Sequence, residues 1–193
     1  MSNTRKMVLI AMLSAISTLL AAPFLQFVLL PVVDFLKVEL TILPILIGVF
    51  TLGLGSGFII LSIRTVLWLL LFNQGPSTWI GLPMNYLAVS VFMVVLWLFI
   101  RKKMTTMKLF IGGILGTVAF TVVMLLMNVI YAIPMYAKFA NFDINTMFKG
   151  GMQVYLLAGV IPFNLIEGII FTVAFAIIFA VFQRNKVIKF QNA

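Results

Sequence analysis

Asn164 and Glu167 stand three residues apart in Val160-Ile-Pro-Phe-Asn-Leu-Ile-Glu-Gly168, a stretch otherwise built for lipid. That spacing is close to one helical turn, so an amide and a carboxylate share a face. The chain has four acidic residues, Asp34, Glu39, Asp143 and Glu167, and only Glu167 falls inside an apolar run long enough to span a membrane. Ionisable groups at membrane depth are costly and by default mark a binding site or a pathway. The plainer alternative is a carboxylate paired with a neighbouring helix. Arg64 is the cation available for that: it lies ~12 Å and Glu167 ~10 Å below the same end of the bundle at the rise of a helix, which predicts an ion pair between them, directly or through water.

Composition sets the class. Of 193 residues, 64% are hydrophobic and 9% charged, the balance of an integral membrane protein. With neither cysteine nor histidine, the chain lacks the means for thiol chemistry, disulfides, the usual zinc sites or a His-based triad. No paired carboxylates are present, so an enzyme is not expected, and no cofactor. No phosphate-binding G-x-x-x-x-G-K-[ST] loop occurs, so ATP would have to be used by another subunit. The net charge of +9 sits at segment ends rather than on one polar face, which argues for membrane topology and against nucleic acid.

The elements that would position these groups follow from bilayer thickness, ~20 helical residues per span. Arg5, Lys6, the apolar run from Met7 and Ala21-Ala22 imitate a signal peptide, but are read as a first span from Met7 to Phe27. The apolar run from Thr41 to Phe72 is too long for one span, and Gly53-Leu-Gly-Ser-Gly57 divides it in two. Three further spans cover Trp79 to Ile100, Leu109 to Tyr136 and Val160 to Phe182, with a polar loop from Lys138 to Gln153. The expectation is a single all-α bundle over residues 1–193, with six transmembrane helices and both termini on one side. Arg5, Lys6, Arg101, Lys102, Lys103, Lys108, Arg184, Lys186 and Lys189 share that side, against Lys37, Lys138 and Lys149 opposite. The positive-inside rule makes the termini cytoplasmic.

Polar groups then converge in the outer half of the bundle. Asn128 lies ~28 Å from the inner end of its helix, Asn164 only ~6 Å from the outer end of the last. Tyr131, Trp68, Asn85, and the segment Glu39, Leu40, Thr41 fall at similar depth. The inner half has no such set. A cavity open outward and closed below is a receptor for an external ligand. Asparagine offers donor and acceptor together, and aromatic faces can stack. The ligand class is a neutral, flat, hydrogen-bonding molecule. In the first span, Ala11 and Ala15 form a small-x-x-x-small pair, extended by Ser14 and Ser17, which permits close approach of another helix.

The chain resembles the substrate-binding S components of energy-coupling factor (ECF) vitamin transporters, most of all the riboflavin-specific type. The likeness is carried by Leu36-Lys-Val-Glu-Leu-Thr41, Thr51-Leu-Gly-Leu-Gly55, Asn85-Tyr-Leu-Ala88, Asn128 through Tyr136, and Ile161 through Gly168. It implies a bacterial multi-pass membrane protein that captures a vitamin, with riboflavin as transported substrate. It also implies partners: a membrane-embedded T subunit, reached through Ala11 and Ala15, and two ATPase subunits. Arg64 and Glu167 depart from the pattern, which has lysine at both places. S components for pyridoxine or a thiamine-precursor pyrimidine are the nearest substitutes; a stand-alone secondary carrier and a ligand-free scaffold are the rival classes.

Overall fold

The computed structural model describes residues 2–102, 105–140, 144 and 148–185. Asp143, Lys103, Lys186 and Lys189, which entered the readings above, lie outside the described residues. The first helix, α1 (Asn3–Leu19), is capped by Ser2, whose side chain accepts from the Arg5 N–H. It ends well short of Phe27. Pro23 opens a 3₁₀ turn (Pro23–Leu25), because proline has no N–H to continue a helical ladder. The chain then leaves helical structure for a small antiparallel ribbon, β1 (Phe27–Val28) against β2 (Lys37–Val38), with Phe27 opposite Val38 and Val28 opposite Lys37. This ribbon is the one departure from an all-α expectation among the described residues. The 3₁₀ turn Pro31–Val33 between its strands buries Val33 completely beneath it.

The division of the long apolar run falls where expected. Helix α2 (Ile42–Leu52) gives way to α3 (Leu54–Leu71) at Gly53, whose φ of 95° no residue with a Cβ adopts without strain. Then come α4 (Pro76–Ile100) and two long helices, each interrupted by a π turn. Helix α5 runs Thr106–Phe139 through the π turn Asn128–Ala132, and α6 starts at Gly151 and passes through the π turn Tyr155–Val160 into Ile161–Asn185. The start of α6 lies nine positions before the Val160 expected from hydropathy.

Helices α3, α4, α5 and α6 are long and apolar enough to cross a membrane; α2 is a shorter apolar helix. Helices α1, α2 and α3 pack together, α4 packs on α5, and α5 on α6. The core between them is aromatic: Phe92, Phe120 and Phe171 meet edge to face at centroid distances of 5.9–6.3 Å, an arrangement their ring quadrupoles favour.

Helices α5 and α6 approach closely because glycine faces threonine at two levels, Gly113 against Thr172 and Gly168 against Thr117. A Cβ on Gly168 would fall 2.6 Å from Thr117 Oγ1. Gly168→Val should therefore lower the apparent Tm in detergent, by an overpacking cost of ~1–3 kcal/mol. Gly55→Ala is the control: nothing lies within 4 Å of that Cβ, so its stability should match or slightly exceed the parent. Equal thermal stability of the two variants would show that the α5–α6 contact is not set by these glycines.

Candidate functional site

One side chain organises the ribbon end of the bundle. Arg64, on α3, is completely buried. Its Nη2 donates to Glu39 Oε2 at 2.9 Å and to Thr41 Oγ1 at 2.7 Å, its Nη1 donates to Asn85 Oδ1 at 2.8 Å, and its guanidinium lies 4.5 Å from the Trp68 ring centroid. Glu39 Oε1 accepts from Gln26 Nε2, which also donates to the Ala21 carbonyl, both at 2.9 Å. Burial pushes the Glu39 carboxyl up to about 7, with Arg64 pulling it down. The direct ion pair expected between Arg64 and Glu167 is not formed; Arg64 pairs with Glu39. Depth alone placed Arg64 and Glu167 level, but α1, α2 and α4 are what pack against α3, and the segment leading into α2 brings Glu39 to Arg64. Glu167 is buried and lines the same cavity as Glu39.

Above this network is a cavity of about 230 Å³. Glu39, Trp68, Asn85, Asn128, Asn164 and Glu167, six of the residues singled out from sequence, line it together. Three do not. Thr41 is buried behind the wall as an Arg64 acceptor, and Leu40 is half-buried beside it. Tyr131 packs with Ile80 and Met84, while Tyr136, one turn on, takes the cavity position. Residues that sequence reading missed include Gln26, Phe35, Tyr136, Tyr155 and Phe163. A glutamine between Leu25 and Phe27 was a signal for Gln26. Tyr155 had none, since hydropathy left residues 154–159 between a loop and a span.

The π turns explain which side chains meet. At about 100° per residue, a regular helix would set Asn164 about 180° around from Tyr155. A π turn drops one residue from that phase, bringing Asn164 to about 80° and Glu167 to about 20° from Tyr155. The turn in α5 likewise holds Met124, Asn128, Ala132 and Tyr136 along one line, where a regular helix would drift about 40° at every fourth residue. All of these residues face the cavity.

Two amides are held in different ways. Asn128 Nδ2 donates to the Met124 carbonyl at 2.8 Å, and its Oδ1 accepts from the Tyr155 hydroxyl at 2.6 Å. Asn164 Nδ2 donates to the Val160 carbonyl at 2.7 Å, while its Oδ1 is buried with no partner. A buried carbonyl without a hydrogen bond is costly unless a ligand or water supplies one. The aromatic rings of Trp68, Tyr136, Tyr155, Phe35 and Phe163 supply apolar faces around these amides. The cavity can therefore enclose a flat, neutral molecule and hydrogen-bond its edge. Away from it, Ala11 and Ala15 are exposed on α1, whereas Ser14 and Ser17 of the same strip turn inward, Ser17 donating to the Thr41 carbonyl at 2.6 Å.

The sequence profile of a family described as ECF transporter, substrate-specific component, matches residues 5–179. The riboflavin transporter RibU of Lactococcus lactis subsp. cremoris is 53% identical, over the whole of both chains. RibU of Streptococcus thermophilus is 49% identical over 93% of this chain and 83% of its own, and the riboflavin transporter FmnP of Bacillus subtilis 29% identical over 92% and 91%. A solved structure described as the S component of a bacterial ECF transporter superposes with a TM-score of 0.77 at 25% identity, covering 95% of this chain and 98% of that one.

The Arg64 pairing is testable independently of ancestry. Removing one member of a buried pair strands a charge at ~3–5 kcal/mol, whereas removing both costs less. Arg64→Met and Glu39→Gln should each lower thermal stability more than the double variant does. Additive losses in that cycle would contradict the pairing.

Proposed function

The chain belongs to the substrate-specific component family of ECF transporters, and on that footing we propose that its cavity is a riboflavin site, filled from the outer face of the membrane. The family is a transporter component, not a catalytic one, so the chain's task is capture and hand-over. The observation that carries the site assignment is the unpartnered, buried Oδ1 of Asn164 beside Asn128 in an aromatic-walled cavity. An isoalloxazine edge supplies the missing hydrogen bonds, and its faces suit the surrounding rings. Glu39, Trp68, Asn85 and Glu167 complete the wall; Leu40, Thr41 and Tyr131 support it from behind.

In this reading α1 and α2 join the four long helices as a six-helix transmembrane bundle in the bacterial cell membrane. The basic residues at Arg5, Lys6, Arg101, Lys102, Lys108 and Arg184 put both termini in the cytoplasm. A membrane-embedded T subunit and two ATPase subunits provide the driving force, because this sequence has no phosphate-binding loop of its own. The exposed pair Ala11 and Ala15 is the surface that meets the T subunit, since small residues let two helices approach closely in lipid.

Asn128→Ala and Asn164→Ala should each weaken riboflavin binding by ~1–3 kcal/mol, read by quenching of flavin fluorescence. Unchanged affinity in both removes the amides from the site. Ala11→Trp and Ala15→Trp should keep vitamin binding and abolish ATP-dependent uptake in a reconstituted transporter. Normal uptake by both variants would place the partner surface elsewhere.

A further inference from the structure

We propose that Tyr155 is a positioning residue that fixes the sense of the Asn128 amide, so that Asn128 and Asn164 offer opposite halves of an amide to one ligand edge. The assignment rests on the flavin reading above and names what within it discriminates between ligands.

A carboxamide can donate or accept, and which half it shows depends on what occupies the other. In Asn128 the Tyr155 hydroxyl, 2.6 Å away, takes Oδ1. One Nδ2 hydrogen goes to the Met124 carbonyl at 2.8 Å, and the second remains. Asn164 makes the same bond from Nδ2, to the Val160 carbonyl, but no hydroxyl takes its Oδ1, which is buried and unpartnered. Both residues line the same cavity. Asn128, its oxygen taken, thus offers a ligand its remaining N–H, whereas Asn164 keeps an open oxygen as acceptor. A ligand edge with a carbonyl next to an N–H satisfies both. Held in the same pose, an edge with an amino group where the carbonyl was and a bare nitrogen where the N–H was sets donor against donor and acceptor against acceptor.

The hydroxyl of Tyr155 is kept in place by its ring, which stacks on Phe35 at 6.2 Å and packs on Phe148 at 5.2 Å. Phe35 belongs to the segment between β1 and β2, where Val33 also packs against Tyr155. The ribbon that covers the cavity therefore also holds the group that orients Asn128. The π turn beginning at Tyr155 is what turns this side chain toward the same cavity as Asn164.

The test uses purified protein titrated with riboflavin and with 3-methylriboflavin, in which a methyl group replaces the imide proton. The wild-type protein should bind the methylated flavin ~100-fold or more weakly, because a site built around a hydrogen bond rejects an analogue lacking it. Asn164→Ala should lose most of that discrimination. Tyr155→Phe should weaken riboflavin binding roughly tenfold. Adding it to Asn128→Ala should cost nothing further, because the hydroxyl acts through that amide. A role confined to anchoring the ribbon would instead add to the Asn128→Ala loss. Additive losses, or equal binding of the two flavins by the wild type, overturn the assignment. Should Tyr155→Phe fail to fold, the comparison of the two flavins on the wild-type protein still decides. Absence of quenching by riboflavin itself is a different result: it overturns the flavin reading, and this assignment with it.

Discussion

A guanidinium removed from water must be answered by the protein, and Arg64 is answered from three segments at once. Glu39 and Thr41 come from the residues leading into α2, Asn85 from α4, and Trp68 from the next turn of α3 itself. Stranding a charge at that depth would cost several kcal/mol, so these contacts restrict where each segment can lie. The restriction propagates. Gln26 links Glu39 back to the end of α1 at Ala21, and Glu39 lines the same cavity as Glu167 on α6. The wall of the cavity formed by α3, α4 and the segment before α2 is thereby referred to one buried cation.

The pairing of Arg64 with Glu39 also shapes what the cavity can hold. With its Nη groups spent on Glu39, Thr41 and Asn85, the charge is not free to recruit an anion. Selectivity is left to neutral hydrogen bonds and ring faces. Asn85 illustrates the division of labour: its Oδ1 serves Arg64, so its Nδ2 is the half left for a ligand. The polar groups nearest the core hold one another, and those nearest the cavity keep one valence open.

The two π turns do for α5 and α6 what the ion pair does for α2, α3 and α4. Each shifts the phase of a long helix by one residue at the level of the cavity, and such bulges occur frequently at functional sites. Without them Tyr155 and Asn164 would stand on opposite faces of α6, and Tyr136 would drift away from Met124 on α5. The glycine–threonine contacts below the cavity then hold the two rephased helices at close range. On the other side of the bundle, α1 separates two tasks by face: Ser14 and Ser17 turn inward, and Ala11 and Ala15 outward.

Much of this was legible without coordinates. Hydropathy located the four long apolar helices, though it started the last of them late; Gly53 located the break between α2 and α3, and the rarity of polar groups in apolar runs pointed to Asn85, Asn128, Asn164 and Glu167, because such residues are too costly in lipid to be there without a partner. Glycine–threonine contacts, the ribbon and the π turns were not legible, since each depends on which surfaces meet. Arg64 shows the limit most clearly. Its depth in the span followed from helix rise, a local quantity. Its partner did not, because two carboxylates at similar depth are equivalent in one dimension. Only the packing of α3 against the segment before α2 brought Glu39 to 2.9 Å and left Glu167 without a direct ion pair to Arg64. Sequence by itself determined the solvent each residue must live in and hence which residues need partners; the tertiary structure decided who the partners are, because that choice is made by rotation and proximity of helices that no linear spacing encodes.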